Sequence, residues 1–111
     1  MTALTSAIEQ LALAWQPDAP LPAAVFEAWH SARGDSNRAL ALAFARAQVA
    51  LGLQEILETA LKAGRVRDDI AVDGLAWLVM AGCESMAHGG DSSDRAQLLL
   101  DLCAPRATGH A

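Results

Sequence analysis

The sequence predicts an all-α fold of about five helices built around one long central helix. Three observations carry that prediction. From Asn37 to Gly64 the chain reads as one helical pattern with no proline and with Gly52 as its one internal glycine. That stretch is dominated by Ala, Leu, Gln, Glu and Arg, which lose little on entering a helix. The rest of the chain holds further apolar runs at helical spacing, punctuated by proline and glycine. Strand signals are missing: there is no tyrosine, no alternating run and no Asn-Gly or Asp-Gly hairpin between strand formers.

Ser6 and Glu9 fit a capping box, so a first helix is expected from about Ser6, with Ile8, Leu11, Ala12 and Trp15 on one side. The prolines at 17, 20 and 22 break it. A second helix begins near Pro22, since proline suits a first turn, and shows Val25, Phe26 and Trp29 before ending at Gly34. Asp35 or Ser36 caps the central helix, and Gly64 closes it. In the central helix Leu42, Val49, Leu53, Ile56 and Ala60 share a face that Leu40, Phe44, Leu51, Leu57 and Leu61 widen. A helix apolar nearly all round is expected to be buried on most sides. Arg65 to Ile70 forms a charged connector with two hydrophobic anchors. A fourth helix is expected from Val72 to His88, stopped by Gly89-Gly90, and a fifth from about Asp94 to Ala104, stopped by Pro105. These make one domain over residues 1–104, with a frayed tail over 105–111.

At 111 residues the chain suits one domain with a real core. A net charge of −5 with no basic cluster argues against a nucleic-acid-binding surface. The N-terminal segment lacks the positive region of a signal peptide, and no apolar run reads as a membrane span. A cytoplasmic protein is expected. Cys83 and Cys103 are the two cysteines, each in an apolar run, and read as buried thiols.

The last two helices carry more apolar circumference than one small monomer covers. Leu98, Leu99 and Leu100 are consecutive, pointing about 100° apart, and Trp77, Leu78, Val79 and Met80 likewise point all ways. A two-fold dimer interface is therefore expected on this pair, through Trp77, Cys83, Leu98, Leu99 and Leu102.

This order of features resembles the C-terminal, effector-binding and dimerisation domain of the TetR family of transcriptional regulators. The resemblance is carried by ILETALKAGRVRDDIAVDGLAWLVMAGCESMAHG, Ile56 to Gly89, with Lys62 to Asp69 matching the family's Ala-Gly and Arg/Asp connector. It implies a homodimer whose last two helices form a four-helix bundle, and a small-molecule effector held between helices. The family's N-terminal helix-turn-helix has no counterpart here. The chain is then expected to be a fragment of a longer regulator or a domain that no longer reads DNA, and DNA is reached only through a helix-turn-helix outside these residues.

Arg46 is the most unusual residue, a charge in the apolar half of the central helix. It reads either as an anchor for an acidic or polar effector, or as an arginine whose stem packs while its head meets solvent, Glu27 or Glu84. Trp15, Phe26, Trp29, Phe44, Trp77 and Met80 read either as pocket lining or as plain core. The resemblance raises Trp29, Phe44, Arg46 and Met80 as ligand-binding residues, and Glu84 joins them. Glu84 and His88 lie one helical turn apart and fit either a ligand site or a helix-end pair. His30, His88 and His110 are scattered and show no metal-site spacing with the cysteines; no cofactor is implied. No nucleophile elbow, carboxylate pair or phosphate loop is present, so an enzyme is not expected.

Two functions follow as expectations. One is a ligand-sensing and dimerisation domain of a TetR-like regulator, binding a small, largely apolar effector. The other is a ligand-free structural dimerisation module.

Overall fold

The computed structural model describes residues 2–105, so the tail beyond Pro105 and its His110 lie outside the described residues. Five α-helices follow one another: α1 (Ala3–Ala14), α2 (Pro20–Ser31), α3 (Ser36–Lys62), α4 (Val72–Glu84) and α5 (Ser92–Cys103). A short 3₁₀ turn, Ser85–His88, follows α4. There is no strand among the described residues.

Helix ends follow local chemistry. Asp35 caps α3 by accepting from the backbone N–H groups of Asn37 and Arg38 at 3.1 and 3.2 Å. Asp91 does the same for α5, accepting from Ser93 and Asp94. At the other end of α3, Gly64 adopts φ of 75°. The Arg65 N–H then reaches the Ala60 carbonyl at 2.9 Å, and the Gly64 N–H reaches Leu61 at 3.0 Å. That pair of bonds is a Schellman motif, and the positive φ it needs favours glycine.

Three boundaries differ from the sequence expectation. Helix α1 starts a turn earlier than Ser6, because Thr2 is itself a cap and accepts from the Thr5 N–H at 3.1 Å. The earlier start brings Leu4 into register with Ile8 and Ala12, and all three are buried. Helix α2 starts at Pro20, with Pro22 inside its first turn and buried. The α-helical part of α4 stops at Glu84, and the chain tightens into 3₁₀ geometry that buries Met86.

One core joins four of the five helices: Ile8 and Ala12 of α1, Leu53 and Leu57 of α3, Leu75, Val79 and Cys83 of α4, and Cys103 of α5. The connector after Gly64 is tied to it. Val66 is buried, while the Arg67 N–H bonds the Cys103 carbonyl at 2.9 Å. The Arg67 guanidinium grips Asp69 at 2.6 and 2.7 Å and also reaches the Leu102 carbonyl. A cation thus sits at the C-terminal end of α5, where carbonyls lack helical partners.

The central helix corrects a second expectation. Only Leu53, Leu57 and Ala60 of α3 are buried, all in its second half. In the first half Leu40 and Phe44 are 70% and 65% exposed, and Val49 and Leu51 are exposed as well. The buried residues of α3 join α1 and α4 in the core, whereas the first half borders α2 and meets α4 through Arg46 and Glu84. By length and composition α3 is also apolar enough to cross a membrane, contrary to the sequence reading. One such helix is weak evidence for a span, and this one carries Arg38 and Arg46 and is core at its C-terminal end.

Two outcomes test this core. Leu57→Ala removes a side chain with no exposure and should cost about 2–5 kcal/mol in urea denaturation. Burial lifts both thiols from near 9 to about 11, with the Glu84 carboxylate adding to the effect at Cys83. The unfolded chain therefore loses these protons first. Stability held below pH 9 should fall as the pH rises toward about 11, and Cys83→Ala with Cys103→Ala should flatten that fall.

Candidate functional site

Two apolar clefts flank the first half of α3. The first, of about 480 Å³, lies among α1, α2, α3 and the end of α4. Its aromatic wall is Trp15, Phe26 and Trp29, its aliphatic wall Leu11, Leu42 and Val49, and its polar groups are Arg46, Glu84 and His88. The second, of about 940 Å³, is shallower and runs between α2, α3 and the start of α4. Trp77, Ala43 and Ala47 line it, with Arg33, Gln54 and Asp73 as polar groups beside Arg46. Trp29, Leu42, Arg46 and Met80 belong to both clefts and form the wall between them.

Helical spacing explains the second cleft. Ala39, Ala43, Ala47 and Ala50 follow at intervals of four, four and three along one face of α3. Their short side chains leave a trough where larger residues would fill it. That alanine stripe was the sequence signal for the cleft and was not among the expected site residues.

Arg46 and Glu84 form the polar centre. They stand 38 residues apart in sequence, and the guanidinium donates from Nε to Oε2 at 3.0 Å and from Nη2 to Oε1 at 2.5 Å. This is a side-on, bidentate pair between α3 and α4. The hydrogen bond to Glu84 raises the Arg46 pKa above its ordinary value, opposed by partial burial. The arginine side chain is 50% exposed, so the pair is a surface contact rather than a buried charge. Its free-energy contribution is correspondingly small.

The expected ligand residues divide clearly. Trp29, Arg46, Met80 and Glu84 come together at the first cleft. Phe44 does not: it lines neither cleft and lies with Leu40 and Leu51 on the opposite side of α3. Its spacing from Leu42 and Arg46 puts it about 200° away on the helix. Glu84 meets Arg46 rather than His88, because α-helical geometry ends at Glu84.

The expected interface residues also divide. Cys83 is 1% exposed and belongs to the core, so its side chain is not available to a partner. Trp77 is 61% exposed but lies on the second cleft. Leu99 is half-buried against α4, where a Cβ at Gly82 would come within 2.5 Å of its Cδ2. Gly82 thus allows α4 and α5 to approach closely. Beside that crossing Leu78 and Leu98 stay exposed and Leu102 half-buried. Leu78 and Leu98 are thus the outward apolar residues beside the crossing, while Leu102 packs partly against the core.

The sequence model of the family "Transcriptional regulator SbtR-like, C-terminal domain" matches residues 2–105, and the chain belongs to that family of TetR-like C-terminal domains. No curated protein and no solved structure matches the chain. The family is one of transcriptional regulators rather than enzymes, and residues 2–105 match its C-terminal domain.

Because the Arg46–Glu84 pair is exposed, Arg46→Ala should leave the fold intact and lower its stability by no more than about 1 kcal/mol in urea denaturation. A loss of several kcal/mol would show that Arg46 holds α3 to α4.

Proposed function

We propose that this domain senses a small, largely apolar molecule in the first cleft and dimerises through the α4–α5 face. One observation carries the reading: Phe26 and Trp29, 56% and 66% exposed, face a concavity that no other described element fills. Uncovered aromatic side chains around a cleft of this size suit ligand binding better than stability. The family membership supports the same role, since TetR-like domains generally dimerise and bind small-molecule effectors.

The cleft is bounded by α1, α2, α3 and the end of α4, so a ligand would touch elements on both sides of the core. A molecule that binds one arrangement of these helices better than another shifts the population toward it. In a complete regulator that shift would alter the spacing of two DNA-binding heads supplied by residues outside this chain. The domain is accordingly read as a cytoplasmic homodimer.

Native mass spectrometry tests both parts at once. The expected result is a dimer that carries, or takes up, small-molecule mass; a dimer that takes up no apolar ligand would favour a purely structural dimerisation module. Leu98→Glu places a charge on the exposed side of α5 and should give a folded monomer. An unchanged dimer would move the interface elsewhere, the exposed Leu40–Phe44–Leu51 face of α3 being the next surface to test.

A further inference from the structure

The apolar walls of the clefts say little about the polar end of their ligand, whereas the charges between them say more. We infer that the effector is an amphipathic anion, an organic carboxylate on an apolar body, and that Arg46 anchors its acid. The inference rests on the clefts being a ligand site.

A guanidinium carries five N–H donors in one plane. Glu84 engages Nε and Nη2. Among the described residues nothing takes the Nη1 hydrogens, so one edge of the fork remains for a second carboxylate. Glu84 acts here as a positioning residue, holding the planar head by its other edge. Arg46 lines both clefts, but Glu84 lines only the first.

The two sides of Arg46 therefore differ in charge. In the first cleft Arg46 faces its own counterion. In the second, Arg33 and Asp73 lie beside Arg46, and the Glu84 carboxylate that pairs with Arg46 is not part of the lining. An anion approaching from the second cleft meets Arg33 and the Nη1 edge of Arg46, with the Glu84 carboxylate held on the other edge of the fork. Its apolar body then has Trp29, Leu42 and Met80, the wall common to both clefts, to lie against. A cationic ligand is disfavoured, because both oxygens of Glu84 are already engaged by Arg46. A neutral ligand gains no charge-assisted bond from the fork.

Calorimetric titration of the intact protein with octanoate, 1-octanol and octylamine separates these cases, since the three share one chain and differ only in the head group. Octanoate should bind about tenfold tighter than octanol, the gain expected of a partly exposed charge-assisted hydrogen bond. Arg46→Gln should bring the two affinities together by weakening octanoate far more than octanol, with a cooperative thermal melt retained. Arg46→Lys keeps the charge but not the fork and should retain only part of the preference. It decides the matter if the Gln variant does not fold, because an undiminished preference in the Lys variant would overturn the anchor. Equal binding of octanoate and octanol by the unaltered protein overturns the anionic assignment and leaves the apolar cleft standing. Tightest binding of octylamine also overturns it and makes Glu84 the anchor. Failure of all three to bind removes the ligand site itself, and with it the reading on which the inference rests.

Discussion

The rest of the structure depends on α3 being one unbroken helix whose surroundings change halfway along. From Leu53 to Ala60 it is locked into the core with Ile8, Leu75 and Val79. From Leu40 to Leu51 it is largely uncovered. With neither proline nor an inserted side chain to bend it, anchoring one half fixes the direction of the other. The first half is therefore a rigid wall. Helix α2, joined to it through the tight turn at Gly34, lies beside that wall without closing on it. The clefts are what remains between them.

Much of this was legible in the sequence where the cause is local. Asp35, Gly64 and Gly89-Gly90 act within a few residues of themselves, and each ends or begins an element as its chemistry predicts. Cys83 and Cys103 are buried free thiols as their apolar runs implied. The Ser6 boundary was lost for an equally local reason: Thr2 offers the same cap one turn earlier, and the gain of burying Leu4 decides between them. Periodicity marks an apolar face but not what covers it. Leu40, Phe44 and Leu57 look alike in sequence, yet Leu57 has no exposure while the other two are mostly exposed. That difference is made by where α1 and α4 cross α3, a tertiary fact with no local trace.

The candidate site shows the same division. Trp29, Arg46, Met80 and Glu84 stood out by residue type, and three helices bring them together. The sequence offered Glu27 and Glu84 equally as partners of Arg46, and only the packing of α4 against α3 selects Glu84. Trp77 and Cys83 lie six residues apart on α4 and were grouped as interface residues. The helix turns them to different sides, one toward a cleft and one into the core. A residue's apolar character thus predicted that it would be covered, and the rotation of the helix determined by what.

The uncovered apolar surface falls into separate patches, and their separation bears on mechanism. Leu78 and Leu98 are exposed on the helices of the Gly82–Leu99 crossing, while Phe26 and Trp29 flank the cleft. Helix α4 belongs to both: Met80 and Glu84 turn toward the cleft, and Leu78 turns outward. Gly82 makes that shared helix sensitive to small movements, because the Leu99 side chain fills the space where a Cβ would be. Close-packed surfaces of this kind move between discrete arrangements rather than deforming gradually. A ligand that repositioned the end of α4 through Glu84 would therefore be felt at the α4–α5 crossing, with α4 itself as the connection between them.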